Sequence, residues 1–83
     1  MDKRITIISI IIEDADVVNE INNLLHQYST YIVGRMGIPY RERNINIICV
    51  VVEAPGDITS SLSGKLGMLK GVSIKTVTSK TSV

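Results

Sequence analysis

The chain has 83 residues, 45% of them hydrophobic and only 4% aromatic, and nine basic against eight acidic side chains leave a net charge of +1. That length fits one domain, and the shortage of aromatics leaves Ile, Val and Leu to build its core. The balanced charge lacks the basic excess usual in nucleic-acid-binding domains, and the single cysteine, Cys49, excludes an intrachain disulfide and fits a reducing compartment.

In chain order, residues 5–12 are rich in β-branched side chains and read as a first strand. Lys3 and Arg4 before this apolar run imitate a secretory signal, but Glu13, Asp14 and Asp16 follow with no small-residue cleavage site. No stretch is long enough to cross a membrane as a helix, and a cytoplasmic protein is expected. Asp14 or Asp16 can cap the next element, a helix over residues 17–29 with Val17, Ile21, Leu24, Leu25 and Tyr28 on one stripe. Residues 30–36 form a weaker strand that Gly37-Ile38-Pro39 is expected to break. Residues 44–53 carry the strongest strand signal. Ala54-Pro55-Gly56 predicts a turn, with Asp57 capping a second helix whose stripe is Ile58, Leu62, Leu66 and Leu69 and which Gly71 ends. A last strand spans residues 72–77, and residues 79–83 read as a frayed polar tail.

The order β-α-β-β-α-β is the α+β, ferredoxin-like plan: a four-stranded antiparallel sheet with two helices on one face, filling a single domain over residues 1–83. Right-handed crossovers put strands 1 and 3 in the centre, with strands 4 and 2 at the edges. Two helices cover only one face of such a sheet, yet strands 1 and 3 are apolar on both. One face holds Ile5, Ile7, Ile11, Ile45, Ile47 and Val51. The other holds Ile8, Ile10, Ile12, Ile48, Val50 and Val52. A sheet with one wet face alternates apolar and polar residues, and a large bare apolar patch is unusual on a monomer. The second face is therefore expected to meet another copy of the chain. The even-numbered set begins at the polar Thr6 and Asn46, so it is assigned to the oligomer interface and the odd-numbered set to the helices.

Little in the chain reads as catalytic chemistry, and no enzyme is expected. His26, the one histidine, falls among Asn19, Asn22 and Asn23 opposite the first helix's stripe, as a solvated side chain would. Cys49 reads as a small hydrophobe within a strand. The acidic run at residues 13–16 lacks calcium-loop spacing, and Ser63-Gly64-Lys65-Leu66 lacks the upstream glycine and the final Ser or Thr of a phosphate loop. Gly64-Lys65-Leu66-Gly67 matches Gly-x-x-Gly but inside a helix rather than a loop. No metal or other cofactor is expected. Gly64, beside Ser61 and Met68, reads as room for another backbone to approach. Arg35, Arg41 and Arg43 gather around the second connection between strands. With Lys65 and Gly64 they are the candidate contacts for a small anionic effector, since guanidinium groups grip carboxylate or phosphate.

The chain also resembles a known family. Asp2-Lys3-Arg4, Glu13-Asp14, Leu24-Leu25-His26 with Tyr28-Ser29, Gly37-Ile38-Pro39 with Arg41-Glu42, and above all Leu62-Ser63-Gly64-Lys65-Leu66-Gly67 with Gly71-Val72 and Lys75-Thr76-Val77 are similar to the small iron-only hydrogenase system regulators. The resemblance implies an ACT-like regulatory domain, akin to the C-terminal domain of the nickel-responsive repressor, that pairs through its sheet and takes small effectors between subunits. Without an N-terminal ribbon-helix-helix segment, direct DNA binding is not expected. Without several histidines, neither is nickel sensing. Two alternatives stay open: an adaptor that docks on a partner protein with no small ligand, and a nucleic-acid-binding protein using the arginine cluster.

Overall fold

A computed structural model describes residues 2–81. Strand β1 (Lys3–Ile12) leads through a 3-10 turn (Ala15–Val17) into helix α1 (Val18–Gln27). A second 3-10 turn (Ser29–Tyr31) enters β2 (Ile32–Tyr40), and a third (Arg41–Arg43) joins it to β3 (Ile45–Pro55). Helix α2 (Gly56–Gly67) and strand β4 (Val72–Thr78) complete the chain. The sheet is antiparallel in the order β2-β3-β1-β4, so β1 and β3 are central as expected. The ferredoxin-like α+β architecture follows from that order with both helices on one face.

Local chemistry sets the element ends. Asp14 stands before the first 3-10 turn and its carboxylate accepts from the Asp16 N–H at 3.0 Å, satisfying a donor that the turn leaves free. Gly71 ends the approach to β4 with φ +73°, and its carbonyl accepts from the Glu13 N–H at 2.8 Å. Asn44 also takes a left-handed conformation, φ 56°, and closes the connection from β2 to β3. Asparagine tolerates that region better than most residues.

Four sequence expectations change. β2 runs through Gly37-Ile38-Pro39 instead of stopping there, and Pro39 pairs with Asn46. On an edge strand the missing N–H of proline costs no ladder bond if it faces outward. Ala54 and Pro55 belong to β3, and α2 begins directly at Gly56 with no separate turn. Asp57 lies inside the first turn of α2 and accepts from its neighbour Ile58, while the cap position belongs to Pro55, with no side-chain bond. α2 ends at Gly67, and Gly71 closes the following turn rather than the helix itself.

The largest correction concerns the two faces of the sheet. Ile8, Ile10, Ile12, Ile48, Val50 and Val52, assigned from sequence to the oligomer interface, form the core beneath the helices with Val17, Ile21, Leu25, Leu62 and Leu66. Thr6 is as buried as the isoleucines, and its hydroxyl meets that of Thr78 at 2.9 Å. A buried hydroxyl with a partner is tolerated, so a polar residue at the strand end does not keep this face out of the core. The odd-numbered set is interrupted at mid-strand, where Ser9 pairs directly with Cys49, and it is this set that faces away from the helices.

The polar tail expected from the sequence begins at Ser79. Ser79 donates its N–H to the Ile5 carbonyl at 2.8 Å and accepts from Arg4 at its own carbonyl, extending the β1–β4 pairing. Residues 82 and 83 lie outside the described residues.

Candidate functional site

The open face of the sheet is the most distinctive surface of the molecule. Side chains directly opposite one another in an antiparallel pair share a face, so the register sets its rows. Ile38, Ile47, Ile11 and Ser73 form one row across β2, β3, β1 and β4. Met36, Cys49, Ser9 and Lys75 form the next, and Val51, Ile7 and Val77 the one after. Tyr40 and Ile45 continue the face toward the β2–β3 connection. Ile11 is 44% exposed, Met36 59% and Val77 68%, with Ile7, Ile38, Tyr40 and Ile47 also exposed. The charged strand residues of this face, Lys3, Glu53 and Lys75, stand at strand ends or on the β4 edge. Its centre is uncharged, with aliphatic rows on either side of the Ser9–Cys49 pair. Cys49 lies at that centre, half-buried.

The candidate effector contacts are dispersed. Arg35 lies within β2 opposite Val50, on the helix side, and donates to the Asn22 Oδ1 of α1 at 2.9 Å. It lines a shallow recess with His26 and Ser29. Arg41 and Arg43 project from the exposed turn between β2 and β3, at one end of the open face. Lys65 stands on α2, and Arg35, Arg41 and Lys65 each line a different recess. Gly64 is exposed, and a Cβ built there meets nothing within 4 Å, so the chain itself does not use the room that a small residue leaves. His26 is exposed, as its position opposite the helix stripe suggests. Among the described residues no three His, Cys, Asp or Glu side chains gather closely enough to hold a metal ion.

The sequence reading missed one polar cluster. The Tyr28 hydroxyl, at the C-terminal end of α1, lies 2.9 Å from the Ser61 hydroxyl and accepts from Lys65 Nζ at 3.0 Å. The ammonium also lies 5.3 Å from the centre of the tyrosine ring, within cation–π range. The Ser61 hydrogen bond and then the Lys65 ammonium hold the phenol below its ordinary pKa of 10.0, because both favour the phenolate. The contact joins the two helices across 33 and 37 residues of sequence, a separation that helical spacing does not reveal.

Residues 4–76 match the model of the TM1266-like family, described as "Iron-only hydrogenase system regulator, putative". The chain belongs to this family. The uncharacterized protein TM1266 from Thermotoga maritima superimposes with a TM-score of 0.90 at 40% identity, over 95% of this chain and 100% of that one. Two more distant structures share the fold alone. A formyltetrahydrofolate deformylase from Pseudomonas putida KT2440 gives a TM-score of 0.63 at 13% identity, covering 88% of this chain and 28% of the enzyme. An unknown protein from Galdieria sulphuraria gives 0.64 at 16%, covering 96% of this chain and 47% of its own. No curated protein matches. Within the TM1266-like family, then, this chain is a ferredoxin-like domain of a regulator family named for the iron-only hydrogenase system.

Proposed function

We propose that the chain is a non-enzymatic regulatory domain serving an iron-only hydrogenase system, assembled as a homodimer through the open face of its sheet, with a small effector taken up at the subunit boundary. The observation that carries this reading is the aliphatic, centrally uncharged open face. Both helices lie on the opposite side and neither reaches it. Covering one such side chain contributes roughly 1.5–3 kcal/mol when burial is complete, and several half-exposed ones together are a large part of a small domain's stability. A second copy is the occupant best matched to it. It brings the same uncharged aliphatic surface, so two open faces meet with no ion stripped of its partner at the centre, whereas a highly charged partner would leave one. Arg41 and Arg43, at the end of that face, are the effector contacts this assembly favours; Arg35, Lys65 and Gly64 lie on the helix side and are farther from the boundary.

The test is the mass in solution of the wild type and of Ile47→Asp, read by light scattering at micromolar concentration. Ile47 is in the middle of the open face, so a carboxylate there is tolerated in a folded monomer but not in the pairing. We expect a dimer for the wild type and a folded monomer for Ile47→Asp. Ile10→Asp, beneath the helices, should instead unfold the chain, which circular dichroism would report. A wild type that stays monomeric would overturn the assembly. A metabolite that raises the melting temperature would support the effector, since only a ligand of the folded state does so; stability unmoved by metabolites and anions would favour the adaptor reading.

A further inference from the structure

On the helix side of the sheet, remote from the open face, a recess of about 160 Å³ opens between the first half of α2 and the adjoining ends of β1 and β4. Most of its lining bears hydroxyls: Thr59, Ser60 and Ser63 from the helix, Thr76 and Thr78 from β4 and Thr6 from β1, with Arg4, Ala54 and Gly56 completing it. No carboxylate lines it. Asp57, in the same helical turn, is occupied with the Ile58 N–H at 2.9 Å.

We propose that this recess binds a small tetrahedral oxyanion, either free or as the phosphate head of a larger molecule. Three observations converge. The Arg4 guanidinium spends one nitrogen, Nη1, on the carbonyls of Ser79 and Lys80, at 3.3 and 3.0 Å. That leaves Nη2 and Nε, among the described residues, free to donate, and guanidinium is a donor with no acceptor to offer a cation. The Thr59 Oγ1 is shielded from solvent and has no hydrogen-bond partner among the described residues. A buried hydroxyl normally finds one, so Thr59, which lines the recess, carries an unmet polar demand that a bound anion meets once the side chain turns toward it. Of the remaining hydroxyls, Thr6 and Thr78 pair with each other at 2.9 Å and Ser63 donates to the Ser60 carbonyl at 3.3 Å, while those of Ser60 and Thr76, with no side-chain partner among the described residues, rotate to donate to an oxyanion with several acceptor oxygens. The size sets the ligand: the recess is well below the roughly 300 Å³ of an ordinary small-molecule pocket. It takes an anion of a few atoms, with anything larger projecting through the open side. Because it faces away from the open sheet, the site is present whether or not two copies pair, and it does not depend on the proposed assembly.

The experiment is an amide NMR titration with inorganic phosphate against chloride at matched ionic strength, repeated with glycerol 3-phosphate. Phosphate should move the amides of Thr59, Ser60, Ser63 and Thr76 saturably, while chloride does not. Arg4→Met should weaken binding about tenfold or more, as loss of a charge-assisted pair does. Thr59→Val keeps the shape without the hydroxyl, should retain the fold and should also weaken binding; Lys70→Ala, an exposed cation outside the recess, should leave it unchanged. Tighter binding of glycerol 3-phosphate identifies the anion as the head of a larger ligand, and equal or weaker binding identifies a free anion. No saturable shift with either probe, or affinity unaltered in both Arg4→Met and Thr59→Val, would overturn the site.

Discussion

At the scale of single residues, two glycines look alike in sequence and differ in what the fold asks of them. Gly71 sits at φ +73°, and a Cβ there would lie 2.7 Å from the Asp14 Cβ and 3.1 Å from its backbone nitrogen. Alanine must therefore accept a left-handed backbone and displace the chain entering the first 3-10 turn, at a cost of about 2 kcal/mol or more. Gly64 is in a helix with open space where its side chain would be, so Gly64→Ala should stabilise by about 0.5–1 kcal/mol. Melting at one fixed protein concentration checks both, and a fall in stability for Gly64→Ala would mean that another chain packs against that position. The Tyr28 cluster predicts a pH effect of definite sign. The lowered pKa of the phenol in the fold means that the unfolded chain holds its proton to higher pH. The ionisation therefore adds stability as pH rises through the folded value toward 10.0, retains it above, and adds nothing at neutral pH, where the phenol is protonated in both states. In a chain carrying Tyr31→Phe and Tyr40→Phe, the phenolate absorbance of Tyr28 should have its midpoint below 10.0, and Lys65→Met should move that midpoint upward.

At the scale of elements, most of the fold was legible because its signals are local and redundant. The β-branched runs of β1 and β3, and the stripes of α1 and α2, each state one element type, and their order leaves one sheet arrangement. Their ends were less legible. Pro39 reads as a breaker until the strand is known to be an edge, and that depends on residues of β3 far along the chain. The choice of inner face failed for a related reason. Thr6 looks too polar to bury until Thr78 is brought beside it, 72 residues away. The better signal was the direct pairing of Ser9 with Cys49 at mid-strand, where no neighbouring hydroxyl is supplied and water or another chain must serve. The candidate site was only half visible. The sequence implied a bare apolar face and named the arginines, but separating Arg35 and Lys65 from Arg41 and Arg43 required the helix layer. The hydroxyl-lined recess draws on four elements and has no motif to announce it.

At the scale of the whole molecule, the first and last strands are hydrogen-bonded neighbours, so that Ile5 and Ser79 touch although 74 residues separate them. Every other strand pairing spans less of the chain. Bringing such distant segments together carries a loop-closure entropy that grows with the logarithm of the separation, and folding rates fall as contacts become less local. We therefore expect formation of the β1–β4 ladder to limit the folding rate. Joining the residues after β4 to those before β1 by a short linker, and opening the chain at the exposed Ser29-Thr30 step, would give the order β2-β3-α2-β4-β1-α1. In that order β4 and β1 become a hairpin while β2 and β3 remain one. Stopped-flow refolding should be faster for this permuted chain than for the natural one. An equal or slower rate would mean that the two ends of the chain are already held together before the sheet forms.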